Sequence, residues 1–491
     1  MGRDRRTPRA AAGWRREANS IVRPTKVKAN GPENINRNGQ LRMPSSIGPL
    51  DGVRRGHAVR SALLPSAAVT RRSAPEGNHR GSAPLPARWL LLKILTVSYG
   101  AGAFGMLGLS PLSPSLLDGF GLTRFELAFI VPAIYVGGLF FSLPGGRLAD
   151  RIGVRPSFLG GLAVGAVGLL AAAIAPSFPL FLGCLVVAGV GWSVVNPALG
   201  RAIVAVFPVR ERGIAMGIKQ MGLTLGGVAS AIALPAIAAW LGWRAGLAAC
   251  AVALALPVAL AWRPLAELGH GATGATRDAP AGSPTAGIWW WARRPALVVF
   301  FATGLVLGMV QSAVLSYLPI WSVQSLGFDK IGAGLLVACS QAGGAAARLA
   351  LGAASDRWLV GRRTVWLAVT GALGALLFLV YAAWPVSTPA MAGALAFATG
   401  VGAYGWVGVF FVISAEAGGP RQAGLLSGVA YASIVVGLLV GPPAFGLILE
   451  RTDSYSVAWA AFAALSALVA ATMLARGAAI DRAGESGLPS A

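Results

Sequence analysis

The sequence is short of charge. Only 12% of its 491 residues are Asp, Glu, Lys or Arg, about half the share found in soluble proteins. Acids are the scarcer sign, 18 against 41 Lys and Arg. Cysteine is nearly absent. Cys184, Cys250 and Cys339 all fall inside apolar runs, which argues against a disulfide framework. The three histidines, His57, His79 and His270, lie outside those runs. There is no cluster with metal-ligand spacing, no phosphate-binding Gly-Lys-Ser loop and no nucleophile–base pair. Enzyme chemistry, a cofactor and a nucleotide-driven pump in this chain therefore find no support. The ten-residue alternation of a membrane β-barrel is also missing. No cleavable leader follows Met1, and the first apolar run begins at Trp89.

What the sequence has is apolar length. Its apolar residues (55% of the chain) gather in runs of about 20, the helical length that crosses a bilayer. Helices satisfy their own backbone in lipid, so they are the default spanning element. Twelve spans are predicted: 89–110, 125–145, 157–175, 178–206, 213–240, 244–262, 296–320, 330–353, 364–384, 389–414, 422–448 and 456–476. The expected fold is an all-α membrane protein of two six-helix bundles, 89–262 and 296–478. A polar Gly-, Ala- and Pro-rich linker at 263–295 joins them, ending in the interfacial anchor Trp289-Trp290-Trp291-Ala292-Arg293-Arg294. A short tail, 479–491, follows.

The net charge of +23 is unevenly placed. Residues 1–88 hold 18 basic and 5 acidic residues and almost no apolar run. They read as a disordered cytoplasmic extension; a basic arm for anionic lipid or nucleic acid is the sharper alternative. Beyond residue 88, basic residues crowd one set of loops, among them Arg147, Arg151, Arg155, Arg210, Arg212, Arg362 and Arg363. The opposite set carries Arg124, Arg244, Lys330 and Arg451. This bias places both termini in the cytoplasm, with the chain in a bacterial-type inner (plasma) membrane. The bilayer is the expected partner of the body of the chain, and nucleic acid is not.

The halves repeat. Gly121-Leu122-Thr123-Arg124 before span two returns as Gly327-Phe328-Asp329-Lys330 before span eight, 206 residues on. The far ends of those spans, Gly146-Arg147-Leu148-Ala149-Asp150-Arg151 and Gly352-Ala353-Ala354-Ser355-Asp356-Arg357, keep the same offset. Thr123 and Asp329 are good N-caps, and Thr123 with Glu126 fits a capping box. In spans five and eleven, Arg210, Gly213, Gly217 and Gly226 return as Arg421, Gly424, Gly428 and Gly437, 211 residues on. Two parallel six-helix repeats are a transporter layout, with the substrate site between the halves near the midplane.

Gly146-Arg-Leu-Ala-Asp150-Arg151-Ile-Gly153-Val-Arg155 resembles the loop signature of the major facilitator superfamily, and Gly352, Asp356, Arg357 and Gly361-Arg-Arg363 stand where that family has a second copy. The resemblance spans about residues 89–478. It implies that Asp150 and its basic neighbours latch the halves in the outward-open state, and that a monomer suffices. Arg348, one turn before Gly352, reads as part of the cytoplasmic charge cluster with Asp356. The stretch Phe207–Gln220 is similar to a branch that includes cyanate-type and other small organic-anion carriers. The span-five Gly-Pro signature and span-four arginine usual in proton-driven drug exporters are missing here, as is the deep span-two arginine of nitrate porters.

Charges inside spans point to function, because each costs about 2.5–3.5 kcal/mol to insert. Lys219 lies almost two turns into span five and shares a face with Gly222, Gly226 and Ser230. Either it draws an anionic substrate into the cavity, or it snorkels about 10 Å to the interface. Lys93, near the start of span one, reads as snorkelling. Neutral residues placed to line a cavity are Tyr99, Asn196, Gln220, Gln311, Tyr317, Gln341, Tyr404 and Trp406; each also fits a helix–helix hydrogen bond. No carboxylate or histidine lies mid-span, so the coupling ion is left open between uniport, anion exchange and protons using a helix-end acid. The expected function is secondary transport of a small organic solute, an anion in the leading reading, by alternating access. Drug efflux and a transporter-like sensor are the alternatives.

Overall fold

A computed structural model of the protein describes residues 85–269, 290–358, 362–383 and 388–485. Span one comprises α1 (Leu85–Leu107) and α2 (Leu109–Phe120), bent at Gly108, and span two comprises α3 (Arg124–Leu127) and α4 (Ile130–Ile152). Spans three to six are α5 (Val154–Ile174), α6 (Phe178–Val206), α7 (Val209–Leu241) and α8 (Trp243–Gly269). After a 3-10 turn at Trp290–Arg293 come α9 (Pro295–Leu326), α10 (Lys330–Trp358) and α11 (Thr364–Ala383), which form spans seven to nine. Span ten starts as α12 (Pro389–Tyr404); α13 (Val407–Thr452) completes it and runs on as span eleven, and α14 (Tyr455–Glu485) is span twelve.

Among the described residues, eleven stretches are long and apolar enough to cross a membrane. The twelfth expected span, α10, does not reach that apolarity. Its Gly- and Ala-rich sequence carries Ser340, Gln341 and Arg348, and it packs against helices of the other half, so it needs less apolar surface toward lipid. Other boundaries move outward. Span one continues to Phe120 instead of ending at 110, and the loop expected at 415–421 is helical within α13. Span six runs to Gly269, into the expected linker, and span twelve to Glu485. The remainder of that linker to residue 289, the extension before residue 85 and the end after residue 485 lie outside the described residues.

Each half has its own core. The first is centred on Leu95, Phe158, Leu162, Leu185, Leu199 and Leu254. The second half has two clusters, one around Tyr317, Phe378, Phe445 and Trp459 and the other around Phe300, Phe410 and Leu426. The local start signals act as expected. Thr123 Oγ1 accepts from the Glu126 amide (3.1 Å) while Glu126 Oε2 accepts from the Thr123 amide (2.8 Å), a complete capping box. Asp329 accepts from the Gly332 amide at the equivalent place in the second half (2.8 Å).

Close helix approach repeats across the halves with the sequence offsets. A Cβ on Gly226 would overlap the Gly100 carbonyl oxygen, and one on Gly437 would overlap that of Leu305. Gly137 abuts the Val186 carbonyl as Gly343 abuts that of Phe397, and Gly189 abuts Ile134 as Gly400 abuts Ser340. Spans two and eight keep the 206 offset, whereas spans four and ten already have the 211 offset of spans five and eleven. The inserted residues therefore lie between spans eight and ten. Gly226→Val should overpack this seam at a cost of about 1–3 kcal/mol, read as a lower melting temperature in detergent. Gly217→Ala is the control, because a Cβ there meets nothing within 4 Å, and it should melt no lower than the parent.

The halves meet chiefly along α7 with α10 and along α4 with α13, a pseudo-symmetric pair of seams. We call the side from which α1 starts and on which α14 ends the terminal face, and the other the far face. The far face is shut. Lys330 pairs with Asp118 (2.7 Å) and Arg124 with Asp453 (2.5 Å), each bond crossing between halves. Tyr317 donates to the Arg124 carbonyl (2.9 Å), and Ser110 to the Leu315 carbonyl. Gly334 lies against the Ala231 carbonyl and Pro235, and Gly446 against Tyr317 and Ala128. On the terminal face Arg88 pairs with Glu211 (3.0 Å) and Arg363 with Glu416 (3.1 Å), each within one half. The cross-half bonds named here all lie at the far face.

Candidate functional site

Lys219 does not snorkel. α7 carries it inward, and only 6% of the residue is exposed. Its Nζ donates to Asn196 Oδ1 on α6 (2.6 Å) and stands 5.1 Å from the centroid of the Tyr99 ring on α1. Tyr99 in turn stacks on Trp192, with centroids 5.3 Å apart and planes within 6°. Trp192 precedes Asn196 by one helical turn, so one face of α6 supplies both. A cation inside a membrane protein is tolerable when aromatic faces and amide oxygens replace its water. Spans one, four and five of the first half build that surrounding. Asn196 itself is exposed.

The second half answers with Arg348, half-buried on α10. Its Nε donates to the Tyr404 carbonyl on α12 (3.1 Å). Its guanidinium lies within electrostatic range of the hydroxyls of Tyr404, Tyr99 and Tyr135. Tyr99 and Tyr135 belong to the first half, so the charge of Arg348 reaches across to the tyrosine whose ring bears Lys219. Tyr431 on α13 lies within electrostatic range of Tyr135 and is 41% exposed. Among the described residues, two cations and four tyrosines converge here, and no carboxylate joins them. Lys219 and Arg348 thus bring positive charge from opposite halves, each beside tyrosines.

The sequence-predicted residues divide accordingly. Lys219, Asn196, Tyr99 and Tyr404 come together. Arg348, expected in the cytoplasmic charge cluster with Asp356, donates to the Tyr404 carbonyl at the broken end of α12. Tyr317 goes elsewhere: fully buried, it closes the far face through the Arg124 carbonyl. Gln341 lies against Gly227 where spans five and eight cross. Gln311 is half-buried with its Oε1 enclosed and without a hydrogen-bond partner, and Gln220 is half-buried beside Lys219. Trp406 is a structural residue, its indole donating to the Ala403 carbonyl (2.9 Å). Of the latch set, Gly146, Asp150 and Arg151 fall in the last turns of α4, and Gly352, Asp356 and Arg357 in those of α10. Their side chains lie outside the described residues. Arg155 is half-buried at the start of α5.

Sequence reading missed Trp192, Tyr135 and Tyr431. Trp192 had a usable signal, its one-turn spacing from Asn196. Tyr135 and Tyr431 had none, since a lone tyrosine in an apolar span is more often packing.

Comparison with known proteins agrees with this architecture. The family model for the Major Facilitator Superfamily matches residues 95–442. An uncharacterised MFS-type transporter of Mycobacterium tuberculosis is 30% identical over 381 residues, covering 76% of this chain and 82% of that one. Monocarboxylate transporter 11 of Mus musculus is 32% identical over 334 residues, covering 64% and 70%. Among solved structures, a bacterial homologue of the human lysosomal transporter Spinster, in an inward-facing and occupied conformation, superposes with a TM-score of 0.65 at 16% identity, covering 83% of this chain and 98% of that one. On the family model and the relatives, the chain belongs to the Major Facilitator Superfamily.

Proposed function

We propose that the protein carries a small organic anion, with a carboxylate or similar acid group and a short apolar body, by alternating access between its two halves. The observation that carries this reading is Lys219, a buried ammonium held by Asn196 and Tyr99 with no acid beside it among the described residues. A cation kept in a span without a counter-ion is costly, and an incoming anion offsets that cost. Arg348 supplies a second positive charge from the other half. The similarity to a monocarboxylate transporter is in keeping with such a substrate. The basic loops favour a cytoplasmic terminal face, and with the far face shut this supports reading the arrangement as inward-facing. The Asp150 and Asp356 loops would then latch the cytoplasmic side in the opposite, outward-open state.

The test is uptake by purified protein in liposomes. Short-chain carboxylates and sulfonates should accumulate and compete with one another. Uncharged amphipathic drugs should neither be transported nor compete. Transport of the drugs with no response to the anions would favour efflux and remove this reading. No transport of any solute would leave the sensor alternative standing.

A further inference from the structure

Span ten is broken where it meets the site. α12 ends at Tyr404, and α13 begins at Val407, with Gly405 and Trp406 forming the turn between them. The carbonyls just before the break would ordinarily accept from amides four residues on, across it. Side chains take that part instead. Trp406 Nε1 donates to the Ala403 carbonyl (2.9 Å), and Arg348 Nε donates to the Tyr404 carbonyl (3.1 Å). A freed carbonyl in a membrane helix is tolerated when protein groups satisfy it in this way. Span eight is thereby tied to the bend of span ten by one guanidinium.

That guanidinium has more to give. Arginine offers five N–H donors in a planar fork, and only Nε is engaged with the backbone. Among the described residues its terminal nitrogens make no hydrogen bond, while the group lies within electrostatic range of Tyr99 and Tyr135 of the first half. Lys219 lies on the ring face of the same Tyr99. An anion held by both Lys219 and Arg348 would touch both halves at once, and through Arg348 the break in span ten.

We propose that Arg348 couples occupancy of the site to movement of span ten: its terminal nitrogens hold the anion while its Nε–H holds the Tyr404 carbonyl, so that binding re-angles the helix at Gly405–Trp406. Arg348 is thus a positioning residue as well as a ligand. The inference rests on the organic-anion reading and adds a conformational consequence to it. Lysine in its place keeps the charge but has no Nε–H in a rigid fork, so it holds the anion and lets the carbonyl go.

Two readouts separate these roles. Uptake of propionate and methanesulfonate into liposomes gives KM and maximal rate for the parent, Arg348→Lys and Arg348→Gln. Spin labels at Ile152 and Arg362, both exposed on the terminal face of opposite halves, give the distance between the halves with and without the same anions. Arg348→Lys should keep KM within about threefold, lose about tenfold or more in maximal rate, and show no anion-induced shortening of the label distance. Arg348→Gln should also raise KM by tenfold or more. Should the lysine variant transport and close like the parent, or fail in KM as the glutamine variant does, the coupling is overturned while anion transport stands. Should the parent transport neither anion, nor any other in the carboxylate and sulfonate panel, the organic-anion reading falls first and this inference with it.

Discussion

Replacing Lys219 with Gln should reduce the apparent affinity for the transported anion by about 10- to 150-fold, with the protein still folded and monodisperse. The size follows from the loss of one charge-assisted hydrogen bond, about 1.5–3 kcal/mol. Glutamine can still donate to Asn196, so the helix contact survives and folding is spared. What disappears is the positive charge on the face of Tyr99. The measurement is concentration-dependent uptake by parent and variant in liposomes, with detergent-solution melting as the folding control. Unchanged affinity would mean that Lys219 serves only the packing of spans one, four and five.

The second large effect concerns the far face. Gly334→Val places two methyl groups where Gly334 now abuts the Ala231 carbonyl and Pro235. Backbone cannot yield to them, so spans five and eight must separate there. Overpacking of this kind costs about 1–3 kcal/mol, enough to move a two-state balance by about 5- to 150-fold toward the arrangement open at the far face. Labels at Leu241 and Arg451, exposed on opposite halves, should report a longer distance in the variant. Reversing the two cross-half ion pairs, with Arg124→Glu and Lys330→Glu, should push the same way but less. Their side chains are 36–86% exposed, exposed pairs contribute about 0–1 kcal/mol each, and added salt should shrink the difference. An unaltered label distance in Gly334→Val would show that the far-face seam does not set the conformation.

The architecture was legible because membrane physics writes it in large features. Apolar length announces a span, loop arginines suggest the side, and the 206 and 211 offsets announce the repeat. The structure explains those offsets. The matched glycines Gly226 and Gly437 are the points where span five meets span one and span eleven meets span seven. Repeated sequence marks repeated contacts. α10 was the span hardest to score by apolarity, because it faces the other half.

The site was legible only in part, and for a related reason. Its residues break the repeat. At the same offsets Lys219 corresponds to Ala430, Asn196 to Val407, Tyr404 to Ser193 and Arg348 to Ser142. Lys219 stood out as a lone charge, and its partners Asn196 and Tyr99 as polar residues in neighbouring spans. Arg348 misled because it lies one turn from Gly352 in the signature-like copy, and proximity in sequence suggested a shared role. Which way a guanidinium turns from a helix depends on the neighbours, here a carbonyl released by the break after Tyr404, and no one-dimensional pattern records that break. Tyr317 took the other of its two readings, a helix–helix hydrogen bond, its hydroxyl donating to the Arg124 carbonyl of the other half.

The most direct test of the whole account is a counterflow measurement with isosteres that differ only in charge. Liposomes containing the protein are loaded with a short-chain carboxylate, and entry of the labelled compound is followed while either the same acid or its uncharged amide competes outside. An electropositive cleft built on Lys219 and Arg348 predicts strong competition by the carboxylate and none by the amide at equal concentration. Equal competition by the two would show that the cations play no part in recognition, and would contradict the assignment of the cleft as an anion site.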